Sequence, residues 1–179
     1  VRNRDDVRER LAELIRSVPD FPRAGVMLRY VSPLLASAGG FARCIEALAA
    51  PWQGQGVQVI AGIEARGFIF GAALAQRLQA GFVPLRKSGK LPPPVAAVDY
   101  QLEYGSDRLE LQRDALKPGE RVLLLDDVLA TGGTLAAAAT LVARAGAELV
   151  GAGVVIELTA LGGRSRWPMD LPLHSLRRY

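Results

Sequence analysis

The 179-residue sequence contains a single cysteine, Cys44, and a single histidine, His174. One cysteine excludes an internal disulfide and cannot by itself form a cysteine metal cluster, which favours a reducing compartment and a core position for Cys44. No apolar run approaches the roughly 20 residues that a membrane-spanning helix needs. The charged opening segment VRNRDDVRER is followed by no apolar signal-peptide core. We therefore expect a cytoplasmic protein without membrane contact.

Signals for nucleic-acid binding are also lacking. The 22 Lys and Arg residues exceed the 18 Asp and Glu residues by a net charge of only +4, and aromatic residues make up 6% of the chain. No stretch has five like charges, and no zinc-finger or RNA-binding signature appears. The chain has neither GxxxxGK[ST] nor a GxGxxG segment between a strand and a helix, so ATP hydrolysis and dinucleotide binding lose their usual support. An anionic small substrate remains compatible with the charge, and nucleic acid is not an expected partner.

Helical and strand patterns alternate along the chain. An apolar stripe at helical spacing predicts an amphipathic helix from Val7 to Val18, ended by Pro19. Further helices are predicted over residues 41–50, 67–79 and 133–144, and strands over 57–63, 122–125 and 149–156. Repeated strand, loop and helix units predict an α/β fold with a mainly parallel twisted sheet flanked by helices. With half of its residues apolar, the chain can form one domain over residues 1–179.

Residues 86–106, RKSGKLPPPVAAVDYQLEYGS, interrupt this alternation. Three consecutive prolines exclude an ordinary helix or central strand at that point. Apolar and polar residues then alternate from Val98 to Tyr104 and predict a hairpin that turns at Gly105. Because a connection of this length in a compact domain is typical of a binding loop or lid, we expect a flexible lid hairpin at about residues 86–106.

Two adjacent carboxylates, Asp126 and Asp127, follow an apolar run in the segment VLLLDDVLATGGT. Ligands of parallel sheets bind at the carboxyl ends of the strands, where carboxylates can accept hydrogen bonds from hydroxyl groups. The next residues offer backbone N–H groups, hydroxyls and the positive end of a helix dipole: Ala130, Thr131, Gly132, Gly133 and Thr134. This combination indicates a ribose 5-phosphate site. On the loop alone, an ordinary polar entry into a helix is an equally good interpretation.

The segment VLLLDDVLATGGT resembles the phosphoribosyl diphosphate (PRPP) signature of the type I phosphoribosyltransferases, in the form found in members that act on adenine. Further segments resemble that family in the same order, over residues 19–35, 61–71, 83–92, 100–119 and 154–164. The resemblance therefore covers nearly the whole chain. It implies the type I phosphoribosyltransferase fold, with a small N-terminal hood at about residues 1–35. It also implies a purine-salvage reaction, in which the 5-phosphoribosyl group of PRPP is transferred to adenine to form AMP and diphosphate.

The resemblance further implies roles for individual residues. The acidic pair and residues 130–134 bind ribose and its 5′-phosphate. Diphosphate is bound by the loop and lid residues Glu64, Ala65, Arg66, Arg86, Lys87 and Lys90. Adenine is bound by Met27, Leu28, Arg29 and Leu158. Arg66 and Glu103 are catalytic, with Glu103 as the acid, base or positioning group near purine N7.

Several of these residues also have simpler interpretations. Without the resemblance, the simpler interpretation of Arg66 is an exposed salt bridge, with Glu64 in the same loop as a candidate partner, and that of the lid cations is a solvated face. Alternation alone does not distinguish Glu103 from Asp99. Leu158 could belong to the core.

The chain departs from the family at the predicted adenine site. Leu28 stands where the family usually has Phe, and Tyr30 where it usually has Asp. Loss of a stacking ring weakens base binding by about 1 kcal/mol. Two alternatives follow from the resemblance: the same chemistry on another 6-substituted purine, or a non-catalytic PRPP-sensing regulator, which would need an added nucleic-acid-binding module.

The resemblance also implies Mg²⁺, carried by the diphosphate without a dedicated metal motif in the chain. It implies a homodimer as well.

Overall fold

A computed structural model describes residues 9–101, 105–168 and 170–179. The chain divides into two compact units, one ending at Ala47 and the other running from Leu48 to Tyr179. Glu103, the predicted acid or base, lies outside the described residues, as do Leu102 and Tyr104 of the predicted hairpin.

The first unit contains a short β-hairpin. Strands β1 (Arg16–Pro19) and β2 (Met27–Tyr30) pair antiparallel, and Val18 lies opposite Leu28. The turn between them closes because the Gly25 N–H donates to the Asp20 carboxylate at 2.8 Å, with Gly25 at a φ of +83° that glycine adopts at little cost. Helix α1, described over residues 9–13, ends before this hairpin. The prediction of a helix reaching Val18 was therefore wrong, because the last residues of the predicted helix form strand β1 and pair with β2.

Two helices follow the hairpin, α2 (Ser32–Ala36) and α3 (Ala38–Ala49). The prediction of a helix over residues 41–50 is confirmed, with a start three residues earlier. Cys44 is fully buried in α3, and this burial raises the pKa of its thiol to about 12. Cys44 is therefore a core residue whose thiol stays protonated at neutral pH, as its predicted core position implies.

The second unit is built on one sheet, which has seven strands among the described residues in the order β5-β6-β4-β3-β7-β8-β9. Five neighbouring strands run parallel: β4 (Gly81–Lys87), β3 (Val59–Ile63), β7 (Arg121–Leu129), β8 (Glu148–Glu157) and β9 (Leu173–Arg178). Helices α4 (Gly67–Leu78) and α5 (Gly133–Arg144) pack against the sheet. The predicted mainly parallel sheet with flanking helices is confirmed.

Burial explains why these strands form. Every residue of β3 is buried, and β7 is buried continuously from Val122 to Leu125, as expected for parallel strands covered on both faces. The strand β7 continues to Leu129, four residues beyond its predicted end. Asp126 and Asp127 therefore lie within the strand. Leu129 is its last residue, and residues 130–132, which connect it to α5, are called the phosphate-type loop below.

The predicted lid region forms the edge of this sheet. Strands β5 (Val95–Gln101) and β6 (Ser106–Gln112) pair antiparallel, with Gln101 opposite Ser106, which confirms the hairpin prediction. Strand β6 also pairs with β4, placing Glu110 opposite Arg86.

Within the described ranges, no helix combines the length and apolar character needed to cross a membrane.

Candidate active site

A pocket of about 100 Å³ opens where β7 passes into α5. Its lining combines a carboxylate, small loop residues and apolar strand residues: Asp126, Val128, Leu129, Ala130, Thr131, Gly132, Thr134, Leu135 and Val154. Gly132 precedes α5 with a φ of +84°, and no described side chain caps the helix. The first N–H groups of α5 therefore lack helical partners, and together with the helix dipole they favour an anion.

The two aspartates of β7 take different positions. Asp126 is half-buried and lines the pocket, and its Oδ1 accepts the Asp127 N–H at 2.8 Å. Asp127 is 6% exposed and accepts a hydrogen bond from Arg66 Nε. Burial, reinforced by the Asp127 carboxylate, raises the pKa of Asp126 well above its usual range. The structure thus brings Asp126 to the pocket and joins Asp127 to the loop after the neighbouring strand.

That loop, Glu64 to Arg66, joins β3 to α4. Ala65 and Arg66 are exposed, whereas the side chain of Glu64 is only 8% exposed. Because β3 and β7 are adjacent in the sheet, the loops that follow them meet at the same edge. The salt bridge between Arg66 and Glu64 that the sequence left open is replaced by a pair between Arg66 and Asp127.

Glu64 instead binds the lid cations. Its carboxylate accepts hydrogen bonds from Arg86 Nε at 3.3 Å and Arg86 Nη2 at 3.4 Å, from the Lys87 N–H at 2.8 Å, and from Lys90 Nζ. Burial acts to raise the pKa of Glu64, but these hydrogen bonds outweigh it and lower the pKa to about 2. Glu64 is therefore ionised at neutral pH and holds Arg86 and Lys90 beside the loop.

The third lid cation, Lys87, is held by β5 and β6. Its ammonium donates to the Tyr100 hydroxyl at 2.6 Å and pairs with Asp107. Burial acts to lower the pKa of Lys87, but these hydrogen bonds raise it overall. Glu110, 5% exposed, accepts the Gly89 N–H at 3.1 Å. Sequence reasoning missed Asp107, which pairs with Lys87, and Glu110, which binds the lid backbone at Gly89, because alternation along β6 does not reveal the partners of its acidic residues.

The predicted adenine-binding residues are divided between the two units. In β2 of the first unit, Met27 is 45% exposed, Leu28 and Arg29 are half-buried, and Arg29 donates to the Ser17 hydroxyl. In the second unit, Leu158 is half-buried, and its N–H donates to the Leu129 carbonyl at 2.9 Å. Leu158 is thus attached to the strand that leads into the phosphate-type loop.

The described residues contain no group of three or more His, Cys, Asp and Glu side chains that could hold a metal ion. The carboxylates of Glu64 and Asp127 are engaged by arginine and lysine side chains. Asp126 provides a carboxylate in the pocket itself. A carboxylate oxygen of this kind is a ligand that Mg²⁺ prefers.

Comparisons with known proteins identify a family and several relatives of this chain. The phosphoribosyl transferase domain family matches residues 34–170. An adenine phosphoribosyltransferase of Thermosynechococcus vestitus is 53% identical over 169 residues, covering 94% of this chain and 99% of that protein. The crystal structure of adenine phosphoribosyltransferase from Rhodothermus marinus has a TM-score of 0.93 and 48% identity, covering 98% of this chain and 99% of the other. The Saccharomyces cerevisiae enzyme, solved with adenine and an imino-altritol bisphosphate, has a TM-score of 0.91 and 36% identity, covering 97% and 99% of the two chains.

Proposed function

The chain belongs to the adenine phosphoribosyltransferases of the phosphoribosyl transferase domain family, and we propose that the pocket between β7 and α5 is the centre of its active site. The enzyme transfers the 5-phosphoribosyl group of PRPP to adenine, forming AMP and diphosphate in purine salvage. It has the type I phosphoribosyltransferase fold. The whole chain, residues 1–179, acts in this proposal as one domain with a hood at about residues 1–35 and a lid at about residues 86–106.

The observation that carries the site assignment is the half-buried Asp126 carboxylate beside the uncapped start of α5. A ribose 5-phosphate matches both features, because its hydroxyls can donate to a carboxylate while its phosphate accepts N–H groups at the helix start. Residues 130–134 bind the phosphate in this proposal. Asp126 and Asp127 bind the ribose hydroxyls, with Asp127 also orienting Arg66.

The diphosphate half of PRPP lies, in the same proposal, at the loop of Glu64, Ala65 and Arg66. Arg66 is anchored through Nε by Asp127 and its side chain is 56% exposed, which leaves the terminal guanidinium nitrogens available for phosphate oxygens. Arg86 and Lys90 stand beside the loop in their ion pairs with Glu64, and Lys87 completes the lid cations. These charges stabilise the leaving diphosphate as the C1–O bond of the ribose breaks.

Family membership implies Mg²⁺, and the donor set accommodates it without a protein cage. We propose that diphosphate oxygens would hold most of the ion's coordination and that Asp126 would be the protein carboxylate available to it. Its chemistry when bound is to neutralise negative charge on the leaving group. The loops orient the sugar and the diphosphate, and they hold C1 of the ribose within reach of the base.

Adenine is assigned to Met27, Leu28 and Arg29 of the hood and to Leu158, with Glu103 as the acid, base or positioning group near purine N7. The support for these positions is the resemblance to the family. A homodimer in the cytoplasm is proposed on the same ground. Sedimentation that gives the mass of a monomer at micromolar concentration would argue against the dimer.

The decisive experiment offers the protein PRPP, Mg²⁺ and a mixture of adenine, hypoxanthine and guanine, and identifies the nucleotide formed. AMP as the main product supports the proposal. A hypoxanthine rate above the adenine rate would assign the chain to another 6-substituted purine, for which the departures at Leu28 and Tyr30 leave room. Absence of any nucleotide, together with sequence-selective DNA binding, would instead support the regulator.

A further inference from the structure

Glu157, the last residue of β8, is a buried acid that the site described above does not use. It is 4% exposed, and its carboxylate takes two hydrogen bonds from Arg164, from Nε at 2.8 Å and from Nη2 at 2.6 Å. The Ser175 hydroxyl donates at 2.6 Å and Arg178 Nε at 3.1 Å. Hydrogen bonds, foremost those from Arg164, lower the pKa of Glu157 to about 2. A buried carboxylate with this many donors is held in one orientation.

Arg164 connects this carboxylate to a tight turn, Gly163–Arg166. Its Nη1 also donates to the Leu173 carbonyl at 2.9 Å, so three guanidinium nitrogens are engaged. Directly after the turn, Trp167 is 6% exposed in the core, and its Nε1 donates to the Leu171 carbonyl at 2.9 Å. The turn is therefore fixed by a charged contact at one end and by a buried ring at the other.

The turn lies directly against the phosphate-type loop. A Cβ atom on Gly163 would overlap the Ala130 carbonyl oxygen and come within 2.8 Å of the Gly132 nitrogen. In return, a Cβ atom on Gly132 would overlap the Gly163 carbonyl oxygen and lie 3.0 Å from the Gly163 carbonyl carbon. Backbone thus packs on backbone with no side chain between them, and movement of Gly163 must move residues 130–132.

We propose that Glu157 and Arg164 are positioning residues for the 5′-phosphate loop, holding the Gly163 turn as a buttress behind Ala130 to Gly132. Loops that bind anions through backbone N–H groups work only when those groups are held to within about 0.5 Å of the productive geometry. The small residues of this loop provide little side-chain packing of their own. The inference rests on the proposed function, because it takes residues 130–134 as the phosphate-binding segment.

The proposal predicts a selective loss of affinity. Glu157→Gln keeps the size of the side chain and removes the charge that binds Arg164. We expect the dissociation constant of ribose 5-phosphate and the KM for PRPP to rise about tenfold, the effect of losing one charge-assisted contact. Diphosphate is assigned to the Glu64 loop, so its dissociation constant should stay within about twofold of the wild-type value. Removing a charge behind the phosphate-type loop leaves the Glu64 loop in place.

Glu148→Gln is the matched control. Glu148 is the first residue of the same strand and is also paired with an arginine, Arg121, at the end of β8 away from the loop. This variant should leave all three constants unchanged. Calorimetry measures the two dissociation constants, initial rates give the KM for PRPP, and thermal unfolding verifies that each variant is folded.

A pair of glycine variants tests the buttress directly. Gly163→Ala places a methyl group against Ala130 and should weaken ribose 5-phosphate binding more than Glu157→Gln does. Gly81→Ala is the matched control, because Gly81 at the start of β4 has no positive φ and an added Cβ would approach no atom closer than 3.7 Å, so it should leave binding unchanged. Arg164→Lys keeps the charge but loses the two-pronged contact. It should weaken ribose 5-phosphate binding as well, so it supplies the comparison if another variant fails to fold.

The outcomes separate the inference from the function on which it rests. A wild-type protein that binds ribose 5-phosphate, with folded Glu157→Gln or Arg164→Lys binding it equally well, overturns the inference alone. Equal weakening of ribose 5-phosphate and diphosphate also overturns it, because that result indicates general loosening. A wild-type protein that binds no ribose 5-phosphate and forms no AMP overturns the proposed function and the inference together.

Discussion

Neutralising Asp126 should stabilise the fold while it weakens substrate binding. Burial and the charge of Asp127 raise the pKa of Asp126, so the folded state disfavours the ionised carboxylate. Stability that is present while the group is protonated is therefore lost as the pH rises through its raised pKa. Asp126→Asn removes this loss. The variant should unfold at a higher temperature than wild type at pH 7, and the difference should disappear below the ordinary pKa of 3.8, where Asp126 is protonated in both states.

The magnitudes differ for binding and for stability. A hydrogen bond to a charged group contributes about 1.5–3 kcal/mol, so loss of the carboxylate should raise the KM for PRPP by roughly 10- to 150-fold. In a chain of this length each kcal/mol of relieved strain raises the unfolding temperature by about 2–4 °C. Asp127→Asn is the comparison. It relieves the same repulsion but loses the ion pair with Arg66, so its gain in stability should be smaller.

The assay combines initial rates at saturating adenine and varied PRPP with thermal unfolding at pH 7 and pH 3. The reasoning is refuted if Asp126→Asn unfolds at or below the wild-type temperature at pH 7. It is equally refuted if the KM for PRPP does not change. An Asp127→Asn variant more stable than Asp126→Asn would show that the two aspartates have been assigned each other's surroundings.

Two further predictions follow from the lid and the hood. Since the pKa of Glu64 is lowered from 4.5 to about 2, its pairing stabilises the fold above pH 4.5 and this contribution is lost as the pH falls towards 2. Glu64→Gln should lower the free energy of unfolding at pH 7 by about 1–2 kcal/mol, after discounting for the partial exposure of Arg86 and Lys90. Urea titrations at several pH values should show that the free energy of unfolding depends less on pH in the variant than in wild type. Parallel plots of this free energy against pH for the two proteins would count against the pairing. Leu28→Phe should restore an aromatic contact worth about 1 kcal/mol and lower the KM for adenine about fivefold. An unchanged KM for adenine in initial-rate measurements would remove Leu28 from the base site.

Local patterns were enough to predict most of the second unit. Helix α5 has the predicted bounds, because glycines with positive φ at Gly132 and Gly146 stand at its two ends and an apolar stripe runs between them. The hairpin of β1 and β2 was missed for the opposite reason. Its strands have four residues each and are mostly exposed, so they carry no period-two signal, and their pairing depends on a turn at Asp20 and Gly25.

The acidic pair and the glycine loop could be predicted from the sequence, whereas the partners of the charges could not. Arg66 pairs with Asp127, 61 positions away, and Glu64 pairs with Arg86, 22 positions away. The first pairing requires β3 and β7 to be neighbours although β4, β5 and β6 lie between them in the sequence. Sequence spacing favoured a local contact between Glu64 and Arg66 instead. Strand order therefore decides which carboxylate meets which cation.

These pairings bear on how diphosphate would bind. Two of the cations assigned to it, Arg86 and Lys90, already have a carboxylate partner in Glu64. If diphosphate replaces the carboxylate in these ion pairs, its binding free energy is the difference between the new ion pairs and the old ones. It does not include the full attraction that unpaired cations would exert. Diphosphate alone should then bind modestly, and Glu64→Gln should bind it more tightly than wild type in calorimetry. Tighter binding of the leaving group also slows product release, so the same variant should lose turnover if that release limits the rate.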